Sequence, residues 1–391
     1  MKKILLLSAL LSCYGISVSG QDQPFTIMHG PWLCDMSETG VTIMWLTNRN
    51  ALSWVEIAPD DGSHFYGKER PKYYDTRMGR KQASTNLHKV RVENLSPGKK
   101  YRYAVFSREV LQWQNDSEII FGTTIANESY SRNSLSFQTF SAEDDTVSFV
   151  MFNDIHGQAQ FMKDISRDID FSSIDLVVFN GDMSSAIYNE EQIFSDFMDA
   201  AVELFAKRIP IAMVRGNHET RGPYADFLLN YFPVSGGKPY RIFNNGDVAF
   251  VLLECGEDKP DSDIEYSSLA DFDAWRNEQE EWLKEAVKSR AFRHASNKVV
   301  FLHMPPGAGN WHGNLHLDET LLPVLNESGI DVVLSGHTHR YSFNPPLAGK
   351  TAFPVIVNSN NACIRGDIIN GKIRIRIHGP EGTEIVEHLV D

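Results

Sequence analysis

Residues 147–157 read VSFVMFNDIHG. The apolar run that ends at Phe152 is uninterrupted, as in a strand of a parallel sheet covered on both faces. It stops on Asn153, Asp154, Ile155, His156 and Gly157. In extended chain Asp154 and His156, two residues apart, aim a carboxylate and an imidazole the same way, past the carboxyl end of the strand. Open α/β sheets hold their ligands there.

The pattern recurs. Residues 174–180, IDLVVFN, run into Gly181-Asp182, and residues 209–214, IPIAMV, into Arg215-Gly216-Asn217-His218-Glu219. Residues 298–302 deliver His303, and residues 330–334 deliver Ser335-Gly336-His337-Thr338-His339. One His after an apolar strand is an ordinary core or capping residue; five strands that each finish on metal-capable side chains are a constellation. Its donors are the carboxylates of Asp154 and Asp182, the imidazoles of His156, His303, His337 and His339, and the amide of Asn217. They are too many for one tetrahedral zinc and too rich in nitrogen for calcium or magnesium. Two transition-metal ions sharing a ligand fit them, with Asp182 or Asp154 as the bridge, since a carboxylate can bridge where an imidazole cannot. Two divalent ions against two carboxylates leave a charge of about +2, enough to lower the pKa of a shared water toward ~7 and to receive a phosphate dianion. Hydrolysis of a phosphate ester is the reaction class that follows.

At 391 residues the chain suits two domains, each with apolar content for a core. Its formal charge is −14, with no basic tract to offset it, which excludes a long nucleic acid as partner. Residues 1–20 have the form of a signal peptide: Lys2-Lys3, an apolar segment, then Val18-Ser19-Gly20 before a cut ahead of Gln21. Export to a periplasmic or extracellular location is expected. Leu10-Leu11-Ser12-Cys13 resembles a lipobox, so a lipid anchor through Cys13 at the cell surface is the competing expectation. No later run approaches the ~20 apolar residues of a transmembrane span. Cleavage after Gly20 leaves Cys34, Cys255 and Cys363, too few for a disulfide scaffold and suited to core packing.

Between residues 25 and 140 the texture is all β: alternating runs at 41–47 and 87–94, another at 100–106 after Ser96-Pro97-Gly98, and a closing run at 134–140. This predicts a β-sandwich over residues 21–142, with residues 107–132 inserted in a hairpin and residues 141–145, SAEDD, as the boundary. Trp45 is expected in its core. From residue 143 to 391 strands alternate with helices, predicted over residues 190–207 and 271–290, and Asn370-Gly371 marks a late hairpin. The acidic residues 257–273 read as a solvated loop.

Asp154-Ile155-His156, Gly181-Asp182, Gly216-Asn217-His218-Glu219, His303 and Gly336-His337-Thr338-His339, in this order, resemble the signature of the calcineurin-like metallophosphoesterase superfamily. The resemblance covers about residues 146–391. It implies a four-layer α/β/β/α fold, one metal on Asp154, His156, Asp182 and His339, and the other on Asp182, Asn217, His303 and His337. It also implies that His218 is a non-ligand that meets the substrate. The front segment, through residues 88–98 and Tyr101-Arg102-Tyr103, is similar to the fibronectin-III-like domain that precedes the catalytic domain of purple acid phosphatases. Two departures stand out: His156 replaces the glycine of those enzymes, and Met183-Ser184-Ser185 after Asp182 lacks their iron-binding tyrosine. The expected cofactors are therefore two ordinary divalent ions, Mn, Fe or Zn.

The expected function is an exported binuclear phosphoesterase that hydrolyses small phosphomonoesters through a metal-bridging hydroxide, with His218 holding equatorial oxygens or acting as general acid. Small or cyclic phosphodiesters are the alternative substrates. A surface binding protein with an inactive site is the third reading, disfavoured by the intact ligand set. Arg221, His312 and His316 are the candidate substrate contacts, the last two in the glycine-rich residues 307–316, GAGNWHGNLH.

Overall fold

The computed structural model describes residues 23–127, 135–380 and 384–390. The leader read over residues 1–20, including Cys13, lies outside the described residues.

Two sheets stack face to face. The first has nine strands, in the order Glu384–Val390, Lys372–His378, Cys363–Ile369, Thr146–Phe152, Leu176–Asn180, Pro210–Val214, Ile27–Cys34, Val41–Thr47 and Leu87–Val92. The second has six: Arg241–Asn245, Val248–Leu253, Asn297–Leu302, Val332–Ser335, Val355–Val357 and Ser342–Asn344. The period-two alternation of each strand divides its side chains between two cores. Phe149, Met151, Val178 and Val214 meet Phe250, Phe301 and Leu334 between the sheets. Val150, Phe152, Val177 and Phe179 turn outward to the helical segments over residues 159–165 and 190–206. On the far side Val251, Leu253, Val300 and Leu302 pack under the helices Phe272–Ala286 and His312–Glu327, through Leu283, Leu317 and Leu321. Layers of helix, sheet, sheet and helix result, and the central strands, covered on both faces, have no polar side to display.

Among the described residues between Ile27 and Gln138 there are strands and no helix. A five-stranded sheet, Leu135–Gln138, Lys100–Trp113, Ala51–Pro59 and Lys72–Tyr74 with Ile119–Ala126 paired to Lys100–Trp113, faces Val41–Thr47 and Leu87–Val92 across a core of Trp45, Val55, Val90, Tyr103 and Val105. Within the stretch 107–132 expected as an insertion, the described residues 107–126 extend one hairpin: Lys100–Trp113 runs on antiparallel to Ile119–Ala126. Asn370 and Gly371 have φ of 50° and 75°, the left-handed pair that a tight two-residue hairpin requires.

Hydrogen bonding does not stop at the expected boundary near residue 142. Ile27–Cys34 pairs in parallel with Pro210–Val214, Leu33 beside Pro210 and Cys34 beside Ile211, so the front strands continue the sheet that carries the ligand motifs. Trp32, Cys34, Met44 and Leu46 then belong to the same core as Phe152 and Phe179. Trp32 Nε1 donates to Tyr231 O at 3.0 Å, Tyr103 Oη to Lys207 O at 2.7 Å, and Arg241 pairs with Asp35 at 2.7 Å.

Because Trp32 is wholly buried in that shared core, Trp32→Ala is expected to cost about 3–5 kcal/mol, the usual range for a large aromatic removed from a core. Urea unfolding followed by circular dichroism should register it as a loss across the whole chain. A melt in which residues 146–378 keep wild-type stability would mean that the front strands are a separable attachment.

Candidate metal centre

The carboxyl ends of Thr146–Phe152, Leu176–Asn180, Pro210–Val214, Asn297–Leu302 and Val332–Ser335 come together, since these strands run parallel within their sheets. The turns that follow are laced: Asp154 N donates to Gly181 O at 2.9 Å, His156 N to Asp182 O at 2.9 Å, and Gly336 N to His303 O at 2.9 Å. Asp154, His156, Asp182, His337 and His339 have φ of 52°, 49°, 56°, 70° and 57°. They are five of the eleven non-glycine residues with positive φ among those described. The same-side pointing of Asp154 and His156 thus arises from consecutive left-handed turns, and not from strand pleating. Strained backbone of this kind collects at functional sites, where the surroundings hold it in place. Side chains are excluded from the glycines between: a Cβ on Gly336 would run into Asp154 Oδ2, and one on Gly216 into Asp182 Oδ1.

The donor atoms form three overlapping groups: Asp154, His156 and His339; His156, Asp182 and His218; and Asp182, His303 and His337. Asp182 falls in two of them. Asp154 Oδ1 lies 3.2 Å from His339 Nε2, 4.0 Å from His156 Nε2 and 3.9 Å from His303 Nε2. Asp182 Oδ2 lies 3.1 Å from His303 Nε2 and 3.9 Å from His218 Nε2. Asn217 Oδ1 is 3.1 Å from His337 Nδ1, which brings the amide into the third group.

The remaining atoms of these side chains are spoken for. Asp154 Oδ2 accepts from Asn153 Nδ2 at 2.6 Å and from His337 N at 3.0 Å, and Asp182 Oδ1 accepts from His218 N at 3.0 Å. His303 Nδ1 donates to Asn180 O at 2.8 Å, which leaves Nε2 to face the centre. His218 Nδ1 donates to Ser185 O at 2.7 Å, so its Nε2 is turned toward Asp182. Asp154 Oδ1 and His303 Nε2 are buried and make no well-aligned hydrogen bond, although His339 Nε2 and Asp182 Oδ2 stand 3.2 and 3.1 Å from them. Two such atoms that converge within a carboxylate and imidazole set fit divalent transition metals, which take both ligand types.

The electrostatics agree. Burial opposes a charge on His303, yet Asp182 and Asp154 push its pKa up to about 10. Burial, followed by the repulsion of His303, lowers His337 to about 4. The centre is an anionic pit that recruits positive charge wherever it can. Glu219 lies directly behind it, wholly buried. Its Oε2 accepts from Asp182 N at 2.7 Å and Gly216 N at 2.8 Å, and its Oε1 from Met183 N at 2.6 Å and Ser184 N at 3.2 Å. Burial and then Asp182 push Glu219 up to about 7. Glu219 had no role in the sequence reading; the signal for it was an acid fixed within an otherwise ligand-bearing turn.

The expected substrate contacts fare differently. Arg221 Nη1 stands 3.4 Å from His218 Nε2, but the guanidinium is also paired with Glu257 at 2.8 Å. Residues 307–316 are not one flexible loop: His312–Glu327 is a helix, into which Gly313 fits because a Cβ there would meet Glu257 O. His312 Nε2 is bound to Asp273 at 2.9 Å and His316 Nδ1 lies 3.2 Å from the same carboxylate. Asp273 thus draws both imidazoles to helix Phe272–Ala286. Glu257 is likewise buried, at 1% exposure, and not part of a solvated loop.

Comparison with known proteins gives a consistent picture. The sequence model of a family described as calcineurin-like phosphoesterase matches residues 147–341. Purple acid phosphatase 22 of Arabidopsis thaliana is 25% identical over 215 residues, which are 50% of this chain and 44% of that one. The serine/threonine-protein phosphatase CPPED1 of Homo sapiens is 25% identical over 142 residues, 34% of this chain and 43% of that one. The chain therefore spans under half the length of either relative. The structure of a purple acid phosphatase from yellow lupin (Lupinus luteus) seeds superposes with a TM-score of 0.66 at 14% identity, covering 92% of this chain and 73% of that one, and shares its fold.

Glu219→Gln replaces one of two acceptor oxygens with a donor that must face backbone N–H groups. Metal affinity is expected to fall about 10- to 100-fold, the usual cost of disturbing the partners behind a ligand. Calorimetric titration of metal-free protein with Mn or Zn would measure it. Unchanged affinity would show that the Asp182 turn holds itself.

Proposed function

This chain belongs to the calcineurin-like phosphoesterase family through residues 147–341, and from that premise we propose that it is an exported, binuclear metal-dependent phosphoesterase that hydrolyses phosphomonoesters. The observation that carries the reading is the convergence of Asp154, His156, Asp182, His303, His337 and His339 with two buried donor atoms that make no well-aligned hydrogen bond. Bound there, two divalent ions would acidify a water molecule toward neutral pKa and neutralise the charge of the phosphate. Asp182 and His156 each fall in two of the donor groups, and of the two it is the carboxylate of Asp182 that could serve both ions. Mn, Fe(II) or Zn suits the set, given Met183-Ser184-Ser185 where an Fe(III)-binding tyrosine would stand.

The reaction is the addition of water to phosphorus with cleavage of the ester P–O bond, releasing an alcohol and inorganic phosphate. The chain's part is to hold the phosphate and to move one proton. His218, with Nδ1 committed to Ser185 O, keeps Nε2 toward the centre, where as an imidazolium it donates to an equatorial oxygen or hands a proton to the departing alkoxide. The names of the two relatives, both phosphatases, support the monoester reading. The leader at residues 1–20 supports export, with lipidation at Cys13 as the other route to the surface, and the all-β front segment is read as a fibronectin-III-like domain that shapes the cleft.

A hydrolysis screen of monoesters and diesters, with Mn, Zn or Fe(II) returned to metal-free protein, tests the reading. Activity restored by at least one metal and highest on monoesters is expected. No hydrolysis with any metal would return the protein to the class of binding proteins.

His218→Ala is expected to slow alkyl phosphates by ~10²-fold or more, the scale of general acid catalysis, and nitrophenyl phosphates appreciably less, because a nitrophenolate leaves without a proton. Metal content should not change. Equal losses on both substrates would confine His218 to charge stabilisation.

A further inference from the structure

Arg221 and Glu257 form a unit that the metal chemistry does not require. The Glu257 carboxylate is buried, whereas the Arg221 side chain keeps 32% of its surface. Glu257 Oε1 accepts from Arg221 Nε at 2.8 Å and Thr220 Oγ1 at 2.9 Å; its Oε2 accepts from Arg221 Nη2 at 2.8 Å and Tyr266 Oη at 3.1 Å. Glu257 O in turn accepts from buried Arg276. A carboxylate held by this many donors cannot swing, so the two-point fork with Arg221 fixes the guanidinium plane. Nη1 is the nitrogen left over. Its neighbours are the His218 ring nitrogens, at 3.5 Å from Nδ1 and 3.4 Å from Nε2. Nδ1 already donates to Ser185 O, so Nε2 is the one ring nitrogen left to accept from Nη1, and at 3.4 Å it does so at long range. Nη1 is thus a charged donor held beside His218, with a long 3.4 Å contact to Nε2 that a phosphate oxygen can displace.

We propose that Arg221 Nη1 takes a non-bridging oxygen of the substrate phosphate and so selects monoesters over diesters, with Glu257 as the residue that positions it. The proposal rests on the phosphoesterase reading above and deepens it. A monoester dianion spreads its charge over three non-bridging oxygens, and any of them that bound ions would not take needs a partner from the chain. In a diester one of those oxygens carries carbon, accepts a hydrogen bond poorly and brings bulk toward Nη1. A fixed guanidinium N–H therefore favours the monoester through an interaction the diester cannot make.

The test is kcat/KM for 4-nitrophenyl phosphate and bis(4-nitrophenyl) phosphate in the metal-loaded full chain, with metal content measured in each variant. Arg221→Ala is expected to lower the monoester value by on the order of 10²-fold, the scale of a lost hydrogen bond to a charged group, and the diester value by less than about 5-fold. Added guanidinium should recover part of the monoester activity in that variant alone. Arg221→Lys, which keeps the charge and loses the fork, should shift the ratio in the same direction. Glu257→Gln should also shift it, and the double variant Arg221→Ala/Glu257→Gln should be no more impaired on the monoester than Arg221→Ala, as a residue acting only through Arg221 must be. Equal losses on both esters in Arg221→Ala and Arg221→Lys would overturn the selection, and additive losses in the double variant would overturn the positioning role. A wild-type protein that cleaves neither ester would instead sink the phosphoesterase reading itself.

Discussion

Asp154 and Asp182 are each 1% exposed and face the same atom, His303 Nε2, at 3.9 and 3.1 Å. Two carboxylates so deep in a protein cost several kcal/mol each unless cations or donors answer them. Backbone N–H groups answer one oxygen of each, Asp154 Oδ2 through His337 N and Asp182 Oδ1 through His218 N. The other oxygens are left to the imidazoles. A third buried acid, Glu219, sits behind them and is tolerable only because four backbone N–H groups converge on it. Much of the local architecture follows from keeping this anionic pocket intact.

The left-handed turns and the glycines are the means. Ligands from separate strands approach one centre only if the backbone turns sharply at each strand end, which places Asp154, His156, Asp182, His337 and His339 at positive φ. Such turns bring backbones so close that Gly216 and Gly336 have no room for a Cβ beside the carboxylates. Local strain of this kind persists only where the framework is rigid. The framework here is a doubly covered pair of sheets, and the front strands enlarge it: Trp32 and Leu46 share a core with Phe152 and Phe179. Ile27–Cys34 also covers the edge of Pro210–Val214, the strand that leads to Asn217 and His218.

The ligand strands were legible because burial on both faces leaves an unbroken apolar run, and because their polar ends recur. The convergence of Asp154 and His156 was legible too, though for a reason that the backbone does not obey. Glu219, Glu257 and Asp273 were not, since the role of each acid is set largely by partners far away in sequence: Glu219 serves the Asp182 turn from 37 residues downstream, Glu257 serves Arg221 from 36 residues downstream, and Asp273 gathers His312 from 39 residues upstream. The helix at His312–Glu327 was hidden by Gly313 and by a His-rich start that reads as loop. Likewise, the strand Ile27–Cys34, IMHGPWLC, carries Gly30 and Pro31, which argue against a place inside a sheet; tertiary pairing with Pro210–Val214 prevails over that local signal.

This division has a physical logic. Groups that must be placed to a fraction of an ångström, the metal ligands, come from strand ends, where a stretch of backbone is fixed by ladders on both sides. Arg221, proposed to meet the phosphate, and Glu257, which holds it, come from connections instead, Arg221 just past the short helical turn His218–Thr220 and Glu257 just past Val248–Leu253. Connections can change without disturbing a sheet, so the same metal centre can serve different esters through what lies around it. Rigidity has to be supplied to such residues separately. Here burial supplies it: Glu257, anchored by Thr220 and Tyr266, does for the Arg221 guanidinium what Glu219 does for the Asp182 turn. Two buried carboxylates, one beyond a strand of each sheet, thus stand behind the two halves of the candidate site, Glu219 behind the Asp182 turn and Glu257 behind the Arg221 guanidinium.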